Sequence, residues 1–189
     1  MSGFPPHPFW NWSLDVYGRP GVSEILLDLQ DRHGLDVNLL LFACWIGATG
    51  RGRLGGGEWA RLIGGTAGWR AEIVEPLRAV RRHLKGRENV PGAMALREKV
   101  KASELEAEYC EQMMIVDLAG DRTVRDIPAS DRAADAVANL ESCFAAAAGA
   151  PPSDGDRVLV TLLARSCCGD PPSKQKSDRL VDDSGEEIM

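Results

Sequence analysis

Two groups of polar side chains could do chemistry in this chain. Gln30, Asp31, Asp36 and Asn38 fall within one short stretch, and Arg70, Arg78, Arg81, Arg82 and Lys85 recur downstream. A guanidinium fork grips a carboxylate or phosphate through two parallel hydrogen bonds. Carboxylates beside an amide can move protons or hold Mg²⁺ against a phosphorylated substrate. At about 100° per helical residue, the five cations share an arc of roughly 120° bordering an apolar stripe. Residues 51–87 carry nine Lys/Arg against three Glu, a local +6 in a chain of net charge −6.

Three arrangements satisfy these residue types. In the first, Asp31 and Asp36 pair with Arg70, Arg78 or Arg81 and fix the packing of two helices. In the second, Arg70, Arg78, Arg81 and Arg82, with Asp31, Asp36 and Asn38, form a ligand-binding face for an anionic protein, small ligand or RNA phosphate. In the third, a carboxylate/arginine pocket in a helical bundle acts on a phosphorylated small molecule. The function expected from sequence is non-catalytic binding through the Arg-rich helix face, with the enzyme as its alternative. No catalytic residue, cofactor or metal is assigned.

Other motifs carry less. The run Gly55-Gly56-Gly57 follows a helix rather than a strand and lacks the Gly-Lys-Ser/Thr ending of a P-loop, so it reads as a connector. His7, His33 and His83 are scattered, and the adjacent Cys167 and Cys168 cannot easily share a tetrahedral site. His33, just before Gly34, reads as a partner for the last carbonyls of its helix. No Gly-x-Ser-x-Gly elbow occurs, and Cys44 sits in apolar company that raises a thiol's pKa.

The elements that must position these residues are helical. The chain has 189 residues, 44% of them hydrophobic and 26% charged, which suffices for one buried core. Its longest apolar run, Leu39 to Ile46, is too short to span a bilayer. The first residues lack the features of a secretory signal and the five cysteines lack framework spacing, so a cytoplasmic chain with reduced thiols is expected.

Phe9 to Tyr17 reads as a short helix, and Pro20 opens a second with Val22, Ile25, Leu26 and Leu29 on one face. Gly34 ends it, and Asp36 caps the apolar helix that follows through Ile46. Arg51 to Gly57 is expected to be a mobile loop, followed by a short helix over Glu58 to Ile63 that stops at Gly64-Gly65. Thr66 should cap a longer helix with Trp69, Ile73, Leu77, Val80 and Leu84 inward, kinked at Pro76. A helix over Pro91 to Leu118 should bury Leu96, Val100, Ala107, Cys110, Met114 and Leu118. Leu105, Tyr109 and Val116 on its other side would meet either neighbours or a second copy, so homodimerisation is one of two outcomes. Ser130 should cap a helix with Ala133, Val137, Leu140, Phe144 and Ala147 inward, and Val158 to Ala164 forms a last apolar stretch.

The ordered strings Trp12-Ser13-Leu14, Tyr17, Pro20-Gly21-Val22, Leu29-Gln30-Asp31, Gly34 and Asp36 through Phe42, then Trp69-Arg70 and Val74 through Arg82, resemble a family of uncharacterised proteobacterial proteins. The resemblance covers somewhat over half the chain and fades after about Glu108. It implies a family identity but no activity, cofactor or partner.

The expected fold is an all-α, compact multi-helix bundle around a buried apolar central helix, with a disordered acidic C-terminal tail. A family-like core is expected over 9–119, accessory helices over 120–166 and the tail over 167–189.

Overall fold

The computed structural model describes residues 4–169, which form eight α-helices, one π-helical turn and no strand. The α-helices are α1 (Pro8–Tyr17), α2 (Val22–His33), α3 (Val37–Ala48), α4 (Gly56–Trp69), α5 (Glu75–Leu84), α6 (Ala93–Ala119), α7 (Ala129–Ala148) and α8 (Asp154–Cys168). The π turn, Arg70–Val74, joins α4 to α5. Among the described residues, no helix is long and apolar enough to cross a membrane.

Helix α3 is the centre of the bundle, buried without interruption from Asn38 to Gly47. Its start follows local chemistry. Gly34 ends α2 in the left-handed conformation, and the Asp36 carboxylate accepts the N–H groups of Asn38 at 2.7 Å and Leu39 at 3.2 Å. Phe42 packs edge-on to Phe9 and Trp59, all three almost fully buried, each contributing roughly 1.5–3 kcal/mol. Helix α3 packs most extensively on α7. A methyl group on Gly47 would lie 2.3 Å from the backbone nitrogen of Ala136, so only glycine allows the helices this close.

Several local expectations are corrected. Gly64 and Gly65 do not interrupt a helix, and Thr66 caps none. Thr66 lies inside α4, where its hydroxyl donates to the Leu62 carbonyl at 3.1 Å. The bend required by Pro76 is absorbed just upstream, where the π turn lets Glu75 N–H reach the Arg70 carbonyl five residues back. The loop after α3 is pinned rather than mobile. Asn139 of α7 accepts from Leu54 N–H and donates to the Gly52 carbonyl, and Arg122 donates to the Arg51 and Arg53 carbonyls.

Helix α6 is rotated from its expected setting. It buries Glu104, Ala107, Glu111, Gln112 and Ile115, while Leu96 is half exposed and Cys110 is exposed. The expected inward stripe of the bent helix is also displaced, since Ile73 and Val80 are exposed. Helix α7 starts at Ala129, ahead of Ser130, and buries Asp135, Ala136, Asn139, Leu140, Cys143 and Phe144. Ser153 and Asp156 cap α8 reciprocally, and the helix runs through the buried Cys167 to Cys168, past the expected start of the tail. The remaining expected tail, 170–189, lies outside the described residues.

Candidate functional site

Arg78 and Arg81 of the bent helix turn toward α6, which answers them with carboxylates. Glu104, Glu108 and Glu111 recur at helical spacing on the side of α6 turned toward α5 and the π turn. Arg81 grips Glu104 with two hydrogen bonds, its Nε to Oε2 and its Nη2 to Oε1 at 3.1 Å. Arg78 bridges Glu104 at 3.3 Å and Glu108 at 2.9 Å. These contacts raise both guanidinium pKa values despite partial burial. Burial opposes the charge on Glu104, but the hydrogen bonds and charges of Arg81 and Arg78 outweigh it and lower its pKa. Glu108 is raised because burial dominates.

One turn closer to α3 the polar contacts continue. Arg70 Nε lies 3.4 Å from the Asp36 carboxylate and 3.2 Å from Glu75, and its Nη2 donates to the Gly34 carbonyl. Asn38 donates through Nδ2 to Glu111 Oε2 at 2.8 Å, and its Oδ1 accepts from Gln112 at 2.9 Å. The Ser13 hydroxyl lies 3.1 Å from Gln112 Oε1 and 2.8 Å from the Trp10 carbonyl. Glu111 Oε1 is buried without a partner. Burial, then the nearby Asp36 carboxylate, push Glu111 up to about 9, so it is a neutral acid at neutral pH.

Above this floor, α1, α2, α5 and α6 wall a cleft of about 350 Å³. Its lining includes four apolar side chains, Leu14, Tyr17, Leu27 and Leu105, exposed by 38–47%. The same lining carries Arg78, Arg81, Arg82 and Lys101, with Lys101 one turn from Leu105 on α6. Arg78 and Arg81 are offset by Glu104 and Glu108. Arg82 and Lys101 are exposed and have no ion pair among the described residues, so the mouth keeps two uncompensated positive charges.

The residues singled out from sequence therefore separate. Arg78, Arg81, Arg82, Asn38 and Gln30 line this cleft. Asp36 and Arg70 border a much smaller cavity, which Gln30, Asn38 and Arg78 also line, and form one of the ion pairs that the first arrangement offered. Asp31 is exposed and lines neither cavity. His33 does not bond the carbonyls of its own helix end; it meets Asp156 of α8 at 3.0 Å. No three His, Cys, Asp or Glu side chains are grouped to hold a metal among the described residues. Sequence reasoning missed Lys101, Glu104, Glu108, Glu111 and Gln112. The signal was the helical spacing of the three glutamates, the same spacing by which apolar stripes are recognised.

Comparison with curated proteins and with solved structures gives no match. A family model does match residues 8–115, more than half of the chain and all the residues that line the cleft. The chain belongs to the family described as Protein of unknown function (DUF2390).

Proposed function

We propose that this chain is a non-catalytic binding protein that receives an anionic partner at the cleft between α1, α2, α5 and α6. The observation that carries this reading is the pair Arg82 and Lys101. Both are exposed cations at the mouth of a concave site and lack carboxylate partners among the described residues. In this reading Glu104 and Glu108 hold Arg78 and Arg81 in place, so these two arginines shape the rim and bring little net charge to it. The catalytic alternative called for Asp31 and Asp36 in one open pocket with an arginine. Asp31 stands outside the cleft, and Asp36 spends one oxygen on the first N–H groups of α3. A reducing cytoplasm suits a chain whose Cys44, Cys143 and Cys167 are buried free thiols.

Titration with the fluorescent sulfonate 8-anilinonaphthalene-1-sulfonate tests this reading. Wild type should bind it, and an Arg82→Glu/Lys101→Glu double variant should bind roughly ten-fold more weakly or worse at the same thermal stability. Equal binding by both chains contradicts it.

A further inference from the structure

We infer that the ligand is a small, free, single-chain amphipathic anion: an unbranched apolar body carrying one carboxylate-like head group. This rests on the reading of the cleft as an anion-binding site and concerns what that site selects.

Four large apolar side chains left exposed by the fold, Leu14, Tyr17, Leu27 and Leu105, converge on this one cleft, and Leu41 lies beneath them. Exposed leucines scattered singly mean little, but several gathered in one concavity with two unpaired cations form a two-part site. The apolar side chains remove hydrocarbon from water, while Arg82 and Lys101 meet the charge. Of the neutral polar side chains lining the cleft, only Gln30, Tyr17 and Trp10 show no side-chain hydrogen bond among the described residues, which is little for a sugar or base. Asn38, Gln112 and Ser13 are hydrogen-bonded among themselves and to Glu111, so they fix one another rather than stand open. Glu104 and Glu108 also face the cleft and oppose a multiply charged anion, although Arg78 and Arg81 neutralise them toward a single charge.

Size and charge point away from large partners. A volume of about 350 Å³ is at the small end of ligand sites. Two unpaired cations on a chain of net charge −6 are a poor match for a nucleic acid backbone or an anionic membrane, which reward several neighbouring cations.

The test is isothermal titration of the full chain with decanoate below its micellar concentration, with inorganic phosphate and with citrate. Three chains are compared: wild type, Arg82→Glu/Lys101→Glu, and Leu27→Gln/Leu105→Gln, whose positions are all exposed and should leave folding intact, checked by thermal melting. The inference expects decanoate to bind wild type, phosphate and citrate to bind at least roughly ten-fold more weakly, and each double variant to weaken decanoate roughly five-fold or more. If phosphate or citrate binds as well as decanoate and the leucine variant changes nothing, the amphiphile is overturned while the anion site stands. Failure of every anion to bind, or decanoate binding unaltered by charge reversal, overturns both.

Discussion

Asn38 of α3 and Glu111 of α6 are joined by a 2.8 Å hydrogen bond, and the bonded carboxyl holds its proton at neutral pH. The central helix is thereby tied to α6 through a neutral acid and an amide, behind a rim of ionised pairs. A carboxyl whose pKa is higher in the folded chain than in the unfolded one takes up a proton on folding. Its contribution to stability is complete below the unfolded value, near 4.5, and is lost as pH rises toward about 9.

Glu111→Gln should remove that loss. The variant keeps an amide where the neutral acid stood, so its melting temperature should match wild type near pH 4.5 and exceed it increasingly up to about pH 9. The advantage should grow by at most about 1.4 kcal/mol per pH unit. Melting curves of both chains across this range decide it, and parallel curves would count against a protonated Glu111.

Asp36→Asn should separate the two roles of Asp36. Asparagine caps a helix about as well as aspartate, so α3 keeps its start while Glu111 loses the neighbouring negative charge that helps raise its pKa. The pH-dependent loss of stability should then end at a lower pH than in wild type, as measured by the same melting series.

Glu104→Gln should cost about 2–4 kcal/mol in urea unfolding at pH 7, because it strips the shared partner from Arg78 and Arg81 in a largely buried setting. Charge reversal at Arg78 and Arg81 should also destabilise, by setting new carboxylates against Glu104 and Glu108. Arg82→Glu, by contrast, should stay within about 0.5 kcal/mol of wild type.

Gly47→Ala and Gly65→Ala both place a methyl too close to a neighbour, but the neighbours differ. At Gly47 the obstacle is the Ala136 backbone at 2.3 Å, whereas at Gly65 it is the end of the Leu118 side chain at 2.5 Å, which can turn aside. Thermal unfolding should show Gly47→Ala losing about 2–3 kcal/mol or more and Gly65→Ala losing about 1 kcal/mol or less.

The all-helical class and the α2–α3 corner were legible because they rest on local chemistry: Gly34 after the last turn, Asp36 as cap, and a run of residues apolar on every side. The setting of α6 was not legible. Leu96 and Cys110 obey the same helical spacing as Glu104, Glu108 and Glu111, and hydrophobicity alone assigns the leucines inward. What turns the helix is the row of arginines on α5, a partner distant in sequence. Likewise, Gly64-Gly65 looked like a break because glycine weakens helices. Close approach of Leu118 to Gly65 gives that glycine a packing reason to sit inside one. Of the candidate site, the cations were visible and their carboxylate partners were not.

The seam between Gly47 and Ala136 also bears on where this chain can be cut. Gly47 lies inside the segment matched by the family model and Ala136 lies beyond it, yet the central helix makes its most extensive packing across that line. A fragment trimmed to residues 8–115 would strip α3 of its most extensive helix packing and Gly47 of the backbone it lies against. The smallest fragment to produce for crystallisation or ligand screening therefore runs at least through Cys168, because the unit that inherits a family likeness is shorter than the unit that holds itself together.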